Sequence, residues 1–162
     1  MKRFFLSTVG IVLFLLCISV IAGADTEFGG SIAGDTIWNL AGSPYIVTSD
    51  VTVEAGVTLT VQAGVKVKFN TGLALNVSGT LNASGTTPIT FTSDQTSPAS
   101  DTWEGIRFYD NSAGTFDNCV IEYARVGIYM NGDGAPQIAN STLRYNNRGI
   151  EVYNRHGIPQ PV

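Results

Sequence analysis

From Ser49 onward the chain alternates apolar and polar positions: Val51, Val53, Val57, Leu59 and Val61 are apolar, with Thr52, Thr58 and Thr60 between them. A period of two sends successive side chains to opposite faces of a strand. The pattern recurs in Val65-Lys66-Val67-Lys68-Phe69, Leu73-Ala74-Leu75-Asn76-Val77, Leu81-Asn82-Ala83 and Ile89-Thr90-Phe91-Thr92. Each run is short, rich in β-branched residues and bounded by Gly, Asn, Ser or Pro, the residues that make turns. No stretch after residue 24 carries helical periodicity. The chain is therefore expected to be all-β.

The runs also repeat. Gly105, Gly127 and Gly149 are evenly spaced, and each is followed by isoleucine. The same offset lays Asn118–Tyr123 on Asn140–Tyr145 and, earlier, Leu59 on Leu81, Val67 on Ile89 and Phe69 on Phe91. A fixed period of this length, about 22 residues, marks a solenoid whose units bury their apolar faces on one another. Between Phe91 and Ile121 the spacing widens, and the polar run 94–101 reads as a loop inserted at a turn. That insertion leaves the register across it open, because the step from Leu81 to Ile106 fits neither the regular nor the widened spacing. The prediction is a parallel β-solenoid of roughly five coils over residues 49–154.

If coils stack in parallel about 4.8 Å apart, residues one period apart are vertical neighbours. Ile106, Ile128 and Ile150 then form one inward column, and Phe108, Met130 and Val152 the next. Ile121 over Leu143 and Tyr123 over Tyr145 are expected to build another inner wall. Outward columns put Glu122 beside Arg144, and Arg107 beside Tyr129 beside Glu151, with unlike charges on one face. Asn118 over Asn140 reads as an asparagine ladder at a turn, each amide bonding its equivalent in the next coil.

The ends differ from this pattern. Met1-Lys2-Arg3 precedes an almost wholly apolar stretch from Phe4 to Ala24, with small residues at Ala22 and Ala24. Residues 1–24 read as a secretion signal. The alternative is a membrane anchor, since 4–24 as a helix would rise roughly 31 Å, enough to cross a bilayer. Either reading puts the protein outside the cell, secreted or held at its surface. Removing residues 1–24 leaves the length of one domain and takes Lys2 and Arg3 with it. Seven basic side chains then face 13 acidic ones, a net charge of about −6 that disfavours nucleic acid as a partner. Cys119 is then the only cysteine, which excludes an intramolecular disulfide; its alternating neighbours place it inside as a small hydrophobe.

In sequence order, Ser43-Pro44-Tyr45-Ile46-Val47, residues 53–61, Ala63–Phe69, Gly79-Thr80-Leu81-Asn82-Ala83, Pro88–Ser93 and Trp103-Glu104-Gly105-Ile106 resemble the right-handed parallel β-helix proteins of the pectin lyase-like superfamily. The likeness is strongest to the N-terminal part of secreted prokaryotic surface proteins. It implies three parallel sheets wrapped around a filled core. It also implies an N-terminal cap within residues 25–48, supplied by Asp35–Pro44 with Ile37, Trp38 and Leu40.

Many relatives by that fold cleave polysaccharides, which makes the register of the carboxylates decisive. Asp110 falls beside Gly132 and Asn154, Asp133 beside Arg155, and Asp117 beside Ala139, so the acids do not converge as a calcium-dependent lyase or a hydrolase requires. His156 has no partner in the pattern. No catalytic, cofactor-binding or metal-ligating residue is therefore assigned, and no cofactor is expected. The reading is a non-catalytic secreted or cell-surface scaffold, structural or adhesive, with an extracellular polysaccharide or surface protein as partner. The alternative is a polysaccharide-binding module or a remnant of a polysaccharide lyase or hydrolase, with Tyr109, Tyr129 and Tyr153 as its aromatic platform. After Tyr153 the repeat gives way to an irregular tail, 155–162, too short and polar to close a stack. The expectation is a piece of a longer solenoid, or end-to-end association at an uncapped last coil.

Overall fold

The structure, a computed structural model, describes residues 25–153. The signal or anchor read over 1–24, the tail read over 155–162 and His156 lie outside the described residues. The strands are β1 (Thr26–Ile32), β2 (Thr36–Trp38), β3 (Tyr45–Val53), β4 (Thr58–Val61), β5 (Lys66–Phe69), β6 (Ala74–Val77) and β7 (Thr80–Ser93). They continue with β8 (Gly105–Phe108), β9 (Ala113–Glu122), β10 (Val126–Asn131), β11 (Ala135–Ala139), β12 (Thr142–Arg144) and β13 (Arg148–Tyr153). One short 3-10 turn, Leu40–Gly42, precedes β3. Among the described residues no helix is long and apolar enough to cross a membrane.

The strand pairings among the described residues are all parallel, and they sort into three faces. Face A stacks the first parts of β1 and β3, then β5, the second half of β7, the second half of β9, and β12. Face B stacks the second parts of β1 and β3, then β6, β8, β10 and β13. Face C stacks β2, β4, the first half of β7, the first half of β9, and β11. Long strands such as β7 and β9 bend round the corner from face C to face A. The solenoid thus has six rungs on two faces and five on the third, close to the five coils expected. Pairing reaches back to Thr26, so Thr26–Trp38 already lies on the three faces.

The columns of the last three coils agree with the expected register: Ile106 pairs with Ile128 and Ile128 with Ile150, Phe108 with Met130 and Met130 with Val152. Ile106, Ile128 and Phe108 are fully buried, whereas Ile150 is 49% and Val152 64% exposed. Position in the stack, not residue type, makes the difference. Upstream, one expectation is corrected. Leu59 does pair with Leu81, but Val67 pairs with Phe91 rather than Ile89, and Phe69 with Ser93 rather than Phe91. The register shifts between Ser84 and Ile89. That corner holds two residues more than the corner of the preceding coil, between β4 and β5; there Gly64 N donates to Thr87 O, and Pro88 has no N–H to offer a ladder. The open register is settled too: Ile106 stacks on Leu75, and the polar run 94–101 lies in the connection from β7 on face A to β8 on face B.

The interior is filled. Val47, Val51, Val53, Leu59, Val67, Phe69, Leu75, Leu81, Phe91 and Phe116 are fully buried, each stabilising the stack by about 1.5–3 kcal/mol of transfer free energy. Aromatic rings occupy the wide parts of the cross-section. Near the first coil Trp38 stacks on Tyr45 at 4.9 Å and meets the edge of Phe28 at 5.4 Å. In the middle, Trp103 lies flat on Phe69 at 4.0 Å, filling the column in which the Phe69 neighbour, Ser93, supplies little volume.

Two expected columns are corrected. Tyr123 and Tyr145 do stack, at 5.3 Å and 14°, but not on the inner wall: Tyr145 is 61% exposed. Both residues have positive φ (65° and 55°), and that left-handed turn at the corner between faces A and B rotates the side chains outward. Asn118 and Asn140 occupy the equivalent left-handed corner from face C to face A, with φ of 59° and 47°. They do not bond each other as a ladder. Asn118 Nδ2 donates to Gly85 O at 3.0 Å, and Asn140 Nδ2 donates to Asp117 Oδ1 at 2.8 Å. The widened Gly85 corner and the nearby carboxylate offer stronger or closer acceptors than the neighbouring amide.

Candidate functional site

A polar cleft of about 310 Å³ opens on the outside of face B, across β8, β10 and β13. Strand alternation creates it, because Arg107, Tyr129 and Glu151 are the outward residues of three successive rungs. Tyr109 and Asn131 extend it at the strand ends, while Glu104 and Arg125 at the corner before face B and Arg148 at the start of β13 close it on the other side. Tyr109, Tyr129 and Glu151 are half-buried, so the aromatic rings form the floor rather than free flags. Tyr153 is exposed and lies beyond these lining residues, which divides the expected tyrosine platform.

The charges in this cleft neutralise one another locally. Glu104 Oε2 accepts from Arg125 Nε at 2.8 Å and also pairs with Arg107 Nη2. Arg148 Nη1 donates to Glu151 Oε2 at 2.7 Å. The expected column Arg107–Tyr129–Glu151 forms, and each of its charges pairs with a nearer partner on its own coil while Tyr129 separates them. Tyr109 OH donates to Asn76 Oδ1 at 3.1 Å, tying the cleft floor to the preceding coil. Three guanidiniums against two carboxylates leave a weakly cationic, hydrogen-bonding groove on an acidic protein.

On face A the predicted Glu122–Arg144 pair forms, with Arg144 Nε 2.8 Å from Glu122 Oε2. Glu122 also accepts from Thr92 Oγ1 at 3.0 Å, so one carboxylate joins three successive coils. Its pairing with Arg144 holds that guanidinium's pKa further up. Asp110 and Asp133 do come together, but through backbone: Asp110 Oδ1 accepts from Asp133 N at 3.3 Å and Asp133 Oδ1 from Asn111 N at 2.9 Å. Among the described residues no three His, Cys, Asp or Glu side chains converge. Sequence reading missed Asn146, whose Oδ1 accepts from Ala124 N and whose Nδ2 donates to Ile121 O. Its only signal was a polar residue following a turn tyrosine, which many solvent-facing asparagines share.

Cys119 is buried, with Sγ 3.2 Å from Ala83 O and its backbone N donating to Ser141 Oγ at 3.0 Å. Burial pushes its thiol up from 9.0 to about 11. A thiol with a raised folded pKa keeps its proton in the native state while the unfolded chain loses it. Its contribution is thus intact below about pH 9 and falls as pH climbs from about 9 to about 11. Iodoacetamide at pH 8 is expected to leave Cys119 unmodified in the folded chain and to alkylate it in urea; labelling at equal rates in both would contradict the buried, protonated thiol.

Three parallel faces around an apolar interior, with corners made by glycine and left-handed asparagine, define a parallel β-helix protein. The chain belongs to the pectate-lyase-like β-helix domain family, whose family model matches residues 30–118. A second family model, for a right-handed β-helix region, matches residues 90–158. No curated protein and no solved structure matches the chain.

Proposed function

We propose that this chain is a non-catalytic β-helix scaffold, secreted or held at the cell surface, that presents its outer faces to other extracellular material. The observation that carries this reading is how its acids are used. Glu54 accepts from Ser31, Asp35 from Thr58 N, Asp50 from Ala74 N, Asp94 from Lys68, Asp117 from Asn140 and Glu122 from Arg144. Each bond spans about one period of the repeat, so these carboxylates stitch one coil to the next. A lyase or hydrolase instead holds its acids toward a substrate or cation.

A second reading, favoured by the face B cleft, is that an acidic polysaccharide binds there without being cleaved. Tyr109 and Tyr129 would stack on sugar rings, and the Arg107, Arg125 and Arg148 donors left over from their ion pairs would meet carboxylates. Incubation with pectate, alginate and related polyuronates tests both. No unsaturated product, read by its ultraviolet absorbance, is expected; its appearance on any of them overturns the non-catalytic reading. Retention of the polymer without product, lost in Tyr129→Ala, supports the second reading, and no retention removes it.

A further inference from the structure

One acid holds the cationic end of the face B cleft, and we infer that Glu104 is a built-in competitor that sets how tightly the cleft takes the carboxylates of an acidic polymer. The inference deepens the second reading above, binding of an acidic polysaccharide without cleavage, and rests on it. Its basis is an imbalance within the cleft. Glu151 pairs with Arg148, whereas Arg107 and Arg125 share a single atom, Oε2 of Glu104.

The fold fixes this arrangement from the backbone outward. Glu104 N donates to Leu73 O at 2.8 Å in the coil before it, and Trp103 O accepts from Arg125 N at 2.7 Å in the coil after it. Trp103 pairs with Ala124 as an isolated parallel bridge, so the residues that follow them, Glu104 and Arg125, are neighbours one coil apart. Arg107, inside β8, reaches back along its own strand to the same oxygen. Trp103 is buried, so the residue preceding Glu104 is anchored in the core.

A guanidinium carries more donors than one carboxylate oxygen can take. Among the described residues, Arg125 uses Nε and Arg107 uses Nη2 on side-chain acceptors, and in both cases the acceptor is Glu104. Arg125 is nonetheless 47% exposed, which leaves it open to a ligand while Glu104 holds it. A carboxylate arriving at this end seeks the two guanidiniums that Glu104 already occupies. It must share or displace that acid, and repulsion between two like charges on one pair of cations opposes it. Glu104 therefore lowers the affinity of the cleft for anions and sets it for a weak, reversible hold.

Binding of the full chain to immobilised pectate and alginate, followed by surface plasmon resonance at about 0.1 M salt, tests this. Glu104→Gln should bind about five- to tenfold more tightly, since it takes the acid out of two ion pairs at once. Arg125→Gln should weaken binding more in the Glu104→Gln background than in the unsubstituted chain, where Glu104 already occupies that guanidinium. A pure net-charge effect would cost the same in both. Asp117→Asn removes one negative charge on face C and retains an oxygen for the Asn140 amide, so it should stay within about twofold. Equal binding by Glu104→Gln and the unsubstituted chain overturns the inference and leaves the second reading standing. So does a gain that Asp117→Asn matches, or an equal loss from Arg125→Gln in both backgrounds. Binding by Glu104→Gln alone supports the inference and removes the second reading for the unsubstituted chain. No binding by either removes both.

Discussion

Trp103→Ala is expected to lower the unfolding free energy by about 4–6 kcal/mol, the largest loss of any single truncation in this chain. The indole is 1% exposed and lies flat on Phe69 at 4.0 Å, so its removal opens a cavity in the middle of the stack. Large aromatic truncations in cores cost about 3–5 kcal/mol. The indole N–H also donates to Glu122 O at 2.9 Å, and orphaning that buried carbonyl adds about 1–2 kcal/mol. Trp103→Phe retains the stacking and should cost less than half as much. Urea unfolding followed by circular dichroism measures both; a loss below about 1 kcal/mol for the alanine variant would show that the neighbouring coils do not depend on this residue.

The second large effect compares one substitution at three points of one column. Gly105→Ala is expected to cost about 3 kcal/mol or more. A methyl group there would be driven into the carbonyl oxygen of Val126, which is backbone and cannot swing aside. Its φ of 104° is strained for any L residue besides. Gly127→Ala meets Gly149 O at 2.8 Å and Asn146 Nδ2 at 3.0 Å, a smaller conflict that the amide can partly relieve. Gly149→Ala meets nothing within 4 Å and should change stability by no more than about 0.5 kcal/mol. Equal losses at all three positions would falsify the account, which grades the cost by the coil stacked above, with the positive φ of Gly105 adding to it at that position alone.

That comparison also marks what the sequence could reveal. Three identical Gly-Ile pairs disclosed the period and, through it, which isoleucines share a column. Periodicity cannot tell a stacked glycine from an open one, because the difference lies in the neighbouring coil. The same limit explains the corrected register at Phe91. Residues 84–88 carry no apolar pattern of their own, so two additional corner residues were invisible until Val67 was seen opposite Phe91. Tyr123 looked inward because strand alternation was carried one residue past the strand end; a left-handed φ reversed it. The Glu122–Arg144 pair was legible because both residues lie inside paired strands of regular pitch. The cleft was legible only in its Arg107–Tyr129–Glu151 column, since Glu104 and Arg125 come from corners whose geometry no alternation encodes and Arg148 opens its strand at the corner edge.

The parallel register bears finally on how such a chain comes to be folded. Most rungs are joined to the next by one full period of the repeat, as Ile106 is to Ile128 and Ile128 to Ile150. No described strand finds its partner across a tight hairpin; a whole coil must be laid down before the first ladder bond can form. The loop entropy is lost before any contact compensates it, so the first pair of coils is a slow nucleus. Each later coil docks on a finished template, and growth from there is fast. A chain built in this way folds as a crystal grows, each finished rung serving as the template on which the next is laid.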